Sequence, residues 1–325
     1  MSDLSSGKKW LIPALGYAVS IACMIVVYRG FNWQEEWPRI RQTEAEYILA
    51  AVLCDIAVYC VQGWRWNELL KPVGALPVWR SMQAIYIGLF ANELLPLRPG
   101  EVIRSFLQAR WSAVPFTVVV SSVVIERLFD GFWLILGFFV TSFFVDLPAL
   151  LVIGSRILAV MLLVLGGLLA IAILRRQATE RWMERTIWAQ GLRHLLDSLE
   201  AMGRSHSFYR SFLISLLYLV LQAGPIYFVQ KGFGLNLSIP ACAAVLVILR
   251  LGSVPPQAPG NVGSFQALAI LGVMLFGVNR QSATGYATLL FIVITVPLWT
   301  VGFIALLATK MKLSQLRQAA HSDTP

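Results

Sequence analysis

Pro96-Leu97-Arg98-Pro99-Gly100-Glu101-Val102 decides how this chain is read, because the same frame returns as Pro256-Gln257-Ala258-Pro259-Gly260-Asn261-Val262. Both copies read P-x-x-P-G-x-V, start close to half the chain length apart in 325 residues, and interrupt a long apolar stretch. Hydrophobic segments broken at corresponding places in two halves point to a transporter-like membrane protein whose binding site is built from the breaks.

Composition agrees. Hydrophobic residues make up 58% of the chain and charged residues 13%, with a mean hydropathy of +0.70, far from soluble averages and expected of a polytopic all-α membrane protein. The first apolar run starts at Trp10, after Lys8 and Lys9, and continues to Tyr28, so it reads as a retained span with no cleavage site. Cys23, Cys54, Cys60 and Cys242 fall inside apolar runs and His194, His206 and His321 are isolated, so neither disulfide nor metal spacing is present and no cofactor is expected.

Runs long enough to span lie at about 10–28, 47–64, 113–145, 150–174, 209–230 and 284–309. The stretches 81–111 and 240–278 carry the Pro-Gly breaks in their middles, and their arms are marginal as spans. Each reads as a re-entrant hairpin, tolerated at membrane depth only where protein or water surrounds it. With the N-terminus inside, short cytoplasmic segments hold Lys8, Lys9, Arg65, Lys71, Arg80, seven arginines between 175 and 210, Lys310, Lys312 and Arg317. The outer segments hold only Arg29, Arg39, Arg41, Lys231 and Arg280. Both termini are therefore expected in the cytoplasm, and the net charge of +9 is an inner-leaflet feature that calls for no nucleic acid.

Span, span, hairpin, span is an odd number of crossings, so residues 150–309 should repeat residues 10–145 upside down, within one membrane domain covering 1–325. Inverted repeats of this kind put a site near the midplane and permit alternating access. Residues 175–208 interrupt the pattern; Trp182, Ile187, Trp188, Leu192, Leu195, Leu196 and Leu199 recur at helical spacing and predict an amphipathic helix on the cytoplasmic surface. Residues 31–46 form the matching outer candidate.

Ionisable side chains inside apolar segments are costly unless paired or hydrated, which makes them functional candidates. Arg98 lies in the first break and Arg104 follows it; Arg250 precedes the second; Glu126, Arg127 and Asp130 sit in the run 113–145. Glu126 and Asp130 are four apart on one helix face, with Arg127 beside them, and are read either as proton-coupling groups or as an ion pair with Arg127 that fixes packing. A helix restarting after Gly100 or Gly260 would offer free N–H groups and a positive dipole end to a phosphate or carboxylate. Arg98, Arg104, Arg127 and Arg250 would add charge-assisted contacts, and Glu101, its repeat equivalent Asn261, and Asn92 would cap a helix or touch a headgroup hydroxyl.

At these residues the chain resembles a known family. Asn92-Glu93-Leu94-Leu95-Pro96 with Arg98-Pro99-Gly100-Glu101 and Arg104, Glu126-Arg127-Leu128 with Asp130, and Pro256 to Gly263 are similar to the flippase-like membrane domain of lysylphosphatidylglycerol synthases and its stand-alone relatives, over roughly residues 10–310. The resemblance implies a bacterial inner-membrane protein that handles an anionic or lipid-linked substrate, with envelope lipid- or glycan-modifying enzymes as the partner class. The synthases carry a soluble aminoacyltransferase domain that these 325 residues lack, so aminoacyl transfer is not expected of them. Ala258 also stands where the first motif has Arg98, which makes the two half-sites electrostatically unequal.

The leading expectation is a lipid translocator that moves an anionic phospholipid or polyprenyl-phosphate-linked lipid through a midplane polar cavity. With no G-x-x-x-x-G-K-[ST] motif, movement would be passive or ion-coupled. Two other classes stay open: a membrane enzyme acting on a lipid phosphate with Glu126 or Asp130 as acid or base, and a non-transporting scaffold, which would need its buried charges mutually paired and dry. Oligomeric state is left open.

Overall fold

The computed structural model describes residues 17–95, 98–146, 149–174, 197–253 and 259–309, helices joined by turns and short irregular links with no strand among these residues. Outside these residues lie the start of the first predicted span, Pro96 and Leu97, residues 254–258 including Ala258, the predicted amphipathic segment as far as 196, and the C-terminal cations from Lys310 on.

The elements, in chain order, are α1 (Tyr17–Tyr28), α2 (Trp33–Arg41), α3 (Ala45–Leu70), α4 (Val78–Leu94), α5 (Gly100–Ser112), α6 (Phe116–Ser142), α7 (Ala149–Leu174), α8 (His206–Phe233), α9 (Ile239–Gly252), α10 (Ser264–Met274) and α11 (Arg280–Ala308). Their starts follow the polar punctuation. Ser205, Ser238 and Asn279 cap α8, α9 and α11 by accepting the N–H of Phe208, Ala241 and Ser282. Gly234, with φ of 80°, ends α8 in the left-handed conformation that a residue with a Cβ resists.

Helices α3, α8 and α11 are long and apolar enough to cross a membrane by length and composition. At 26, 28 and 29 residues they reach about 40 Å, beyond the roughly 30 Å hydrocarbon core. They answer three of the six expected spans. Helices α6 and α7 match two more in length, 27 and 26 residues, although α6 carries Glu126, Arg127 and Asp130. Leu163, Phe143, Leu213 and Ile304 are exposed on outer faces, as a lipid-facing surface requires.

Both broken stretches fold as antiparallel helical hairpins. In the first, contacts run backward along the chain: Asn92 against Gly100, Gly88 against Arg104, Ser81 against Gln108. In the second, Gly252 lies against Leu268 and Gly272 against Val245 and Ile248. Each hairpin has its own core, Trp66, Ile85, Ile103, Leu107 and Val119 around the first and Val229, Val245, Ala269, Val273 and Tyr286 around the second. Helix α11 packs on both, approaching α4 so closely that a Cβ on Gly302 would meet Phe90 Cβ at 2.7 Å.

Helix α8 lies antiparallel along α3. Pro225, inside α8, cannot donate to the Leu221 carbonyl, and the Cys54 thiol of α3 donates to that oxygen instead, at 3.3 Å. The turn into α9 hangs on Gln230, fully buried, which donates from Nε2 to the Leu237 carbonyl and accepts the Leu237 N–H, at 3.2 and 2.9 Å. Gln230→Leu strands both backbone groups, and we expect a loss of about 1–3 kcal/mol, read as a lower melting temperature in detergent.

Candidate functional site

The two breaks meet. Gly260, in the 3-10 turn Pro259–Asn261, sits against the carboxylate of Glu93 at the end of α4, and Glu93 Oε2 accepts the indole N–H of Trp299 from α11 at 3.2 Å. Arg98 is held at φ of 53°, and Gly260 and Asn261 at 70° and 52°. Only glycine adopts such angles freely; for Arg98 and Asn261 they cost about 1–3 kcal/mol each, strain supported by the surrounding packing.

At each break one N–H is already taken within the protein. The Gly100 N–H donates to Asn92 Oδ1 at 2.6 Å, so Asn92 acts as the cap of α5 from across the hairpin. In the second half the helix does not restart after Gly260 but at Ser264. Its cap residue Gly263 donates its N–H to Gln266 Oε1 at 2.7 Å. Tandem left-handed residues at 260 and 261 delay the restart. Glu101 and Asn261 are consequently not in equivalent positions: Glu101 lies in the first turn of α5, and Asn261 lies in the turn with its Oδ1 buried and unpartnered.

Most of the predicted charges do come together, between α3, α5 and α6. Arg104, on α5 and 4% exposed, reaches Glu126 Oε2 at 2.9 Å and Glu101 Oε2 at 2.6 Å, with its guanidinium over the Trp66 ring. Arg127 pairs with Glu101 and stands 3.9 Å from Asp130. The expected pairing of Arg127 with a carboxylate of its own helix is thus secondary, because adjacent positions on a helix diverge and Glu126 turns inward. Arg250 donates to the Tyr218 hydroxyl at 3.3 Å. Arg98 lies within electrostatic reach of Glu93, Glu101 and Arg127.

The centre of the cluster is a residue expected in a cytoplasmic loop. Arg65 belongs to α3, which continues to Leu70, and it is fully buried. It donates to Glu126 Oε1 at 2.8 Å, to Asp130 Oδ1 and to Ser215 Oγ at 3.3 Å, and it stacks on the Tyr218 ring. Two carboxylates that the sequence offered for proton coupling are therefore already held by arginines. A burial this deep calls for opposite charges close by, and Arg65 has two.

The answer is incomplete by one. Arg65, Arg104, Arg127 and Arg250 face Glu101, Glu126 and Asp130, leaving one surplus positive charge, and Arg98 with Glu93 beside them does not alter it. Arg65 Nε and Arg104 Nη1 are buried without a hydrogen-bond acceptor. Among the described residues no carboxylate pairs with Arg250.

This arrangement lies within a known family frame: a family model described as the lysylphosphatidylglycerol synthase TM region matches residues 14–302. The chain is a member of that family. Among relatives, the synthase-TM-region chain is 23% identical over 302 residues to UPF0104 membrane protein MJ1595 of Methanocaldococcus jannaschii, covering 84% of this chain and 88% of that protein. Two UPF0104 membrane proteins of Methanothermobacter thermautotrophicus are 25% identical over 259 residues and 23% over 290, covering 71% and 80% of this chain and 74% and 84% of theirs. Family and apolar helices together make it an integral membrane protein.

Proposed function

We propose that this member of the synthase-TM-region family is a lipid translocator for an anionic phospholipid or polyprenyl-phosphate-linked lipid. The observation that carries the reading is the surplus positive charge of the cluster, Arg250 on α9, which no described carboxylate pairs with, together with Arg65 Nε and Arg104 Nη1, buried and still without acceptors. A phosphate supplies both the missing negative charge and the missing acceptors. Arg127, half exposed on α6 and paired with the less exposed Glu101, is where a headgroup first exchanges one anion for another.

The hairpins fit re-entry. At 17 and 13 residues, α4 and α5 reach about 26 and 20 Å, and α9 and α10, at 14 and 11, about 21 and 17 Å, all short of the hydrocarbon thickness. Tips that touch at Glu93 and Gly260 suit two hairpins entering from opposite faces, as in an inverted repeat of residues 10–145 and 150–309, with both termini cytoplasmic in a bacterial inner membrane. Rocking of the halves would then expose the cluster to each leaflet in turn.

The mutual pairing of Arg65, Arg104, Glu101, Glu126 and Asp130 is also what a non-transporting scaffold for an envelope enzyme requires, and it is the observation favouring that second reading. An enzymatic role for Glu126 as acid or base is less favoured, since both its oxygens are engaged by arginines. Arg127→Ala separates the first two. In liposomes carrying fluorescent phosphatidylglycerol we expect the translocation rate to fall about tenfold or more, the loss of a charge-assisted contact of roughly 1.5–3 kcal/mol, with the protein still inserted and folded. Native mass spectrometry should show a bound anionic lipid lost in the variant. Absence of lipid and of translocation in the wild type would turn the reading to the scaffold.

A further inference from the structure

Among the described residues, Asp55 on α3, 5% exposed, is the buried carboxylate that no cation pairs with. Its Oδ2 is buried with no hydrogen-bond partner, and no described cation forms an ion pair with it. An ionised carboxylate in that setting is expensive, and protonation removes the expense. The titratable and charged groups around it are few. Its own helix brings Cys54, engaged on the Leu221 carbonyl, and Tyr59; α4 brings Tyr86, whose hydroxyl donates to the Ile56 carbonyl at 3.1 Å and feels Asp55. Cys60, further along α3, interacts with the same Tyr86 hydroxyl, and from α6 the carboxylates Glu126 and Asp130, with Arg127, stand at the level of Arg65.

Asp55 is nevertheless wired to the cluster. Tyr59, one helical turn along α3, interacts electrostatically with Asp55 and also with Tyr218, Arg250 and, from α4, Glu93. Tyr218 from α8 accepts from Arg250 and carries Arg65 on its ring. Ten residues of helix separate Asp55 from Arg65, roughly 15 Å, a distance over which charges still interact when water is excluded.

Charge balance then sets the stoichiometry. With the cluster one charge positive, an ionised Asp55 makes the empty interior neutral. A lipid phosphate carrying one negative charge makes the loaded interior neutral only if Asp55 has taken up a proton. We infer that Asp55 is a proton-binding site that couples translocation to protons, one proton accompanying each singly charged anionic lipid so that both loaded and empty forms cross without net charge. The step is an acid–base exchange only: Asp55 Oδ2 gains a proton from the aqueous side on which the lipid enters and releases it on the side on which the lipid leaves. The inference rests on the translocator reading, and it moves the coupling role from Glu126 and Asp130, which arginines already hold, to the carboxylate that none holds.

The test uses the full chain in phosphatidylcholine vesicles containing fluorescent phosphatidylglycerol, wild type against Asp55→Asn. A one-unit pH gradient should drive wild-type accumulation of the probe in one leaflet to about tenfold, because one proton per lipid transmits the tenfold ratio in proton activity, and an imposed potassium potential should change nothing. Asp55→Asn should lose the pH-driven accumulation and become responsive to potential. Wild-type accumulation retained in the variant, or wild-type movement indifferent to the gradient, overturns the inference while the translocator reading stands. If the wild type moves no lipid, the translocator reading falls, and infrared titration decides the site alone. A protonated-carboxyl band that titrates in the wild type and vanishes in Asp55→Asn keeps Asp55 as a proton site, and its absence removes it.

Discussion

Arg65→Met will cost the protein about 3–5 kcal/mol of stability and roughly 10 °C of melting temperature in detergent. The side chain is fully buried and answers Glu126 and Asp130 together. Methionine fills much of the volume, so packing is not the main loss; the loss is two carboxylates left in a dry interior with one cation fewer. Glu126 would keep Arg104 and Asp130 only the distant Arg127. The prediction has an internal check, because the damage comes from stranded charge: Arg65→Met combined with Asp130→Asn should recover part of the loss, whereas two independent packing defects would add. Fluorescence-detected melting of the single and double variants measures both. A single variant that melts with the wild type would mean the cluster is hydrated and its charges are answered by water.

Gly100→Ala is the second large effect. A Cβ at this position would lie 2.0 Å from the Gly88 carbonyl oxygen and 2.5 Å from Asn92 Oδ1, the oxygen that accepts the Gly100 N–H. Backbone faces backbone, so no rotamer relieves the clash and the arms of the first hairpin must separate. Overpacking of this kind costs about 1–3 kcal/mol or more. Here it also displaces α5, which carries Glu101 and Arg104, so binding of an anionic lipid should weaken along with stability. Gly166→Ala is the matched control. Nothing lies within 4 Å of a Cβ there, and alanine in mid-helix should stabilise slightly. Equal melting of the Gly100 variant and the wild type would contradict the close approach of α4 and α5.

Part of this was legible in the residues themselves. The repeated P-x-x-P-G-x-V frame located both hairpins, because proline and glycine leave a helix few ways to continue and apolar arms too short to span must fold back. The Glu126, Arg127 and Asp130 group stood out as charge inside an apolar run. Arg65 was missed because hydropathy ends the span near residue 64, whereas the backbone obeys a different signal: nothing breaks the helix before Pro72 and Gly74, and α3 keeps winding to Leu70. Asp55 was passed over although it is an acid in an apolar run, the same signal that drew attention to α6; a single carboxylate lacks the pattern that a cluster makes. Nor could spacing reveal that Asn92 and Gln266 take the N–H groups of Gly100 and Gly263, since those partners are fixed by how each break closes.

The thiol that stands in for a missing amide at Pro225 has a mechanical consequence. A peptide carbonyl held by a sulfur is held more weakly than one held by an amide, so α8 loses a helix bond at Leu221, the point where Cys54 touches it. Cys54 is the neighbour of Asp55 in the chain. That weak point lies one residue from the carboxylate proposed to take up a proton, so a proton bound there would act at a joint of the α3–α8 pair and not on its rigid length.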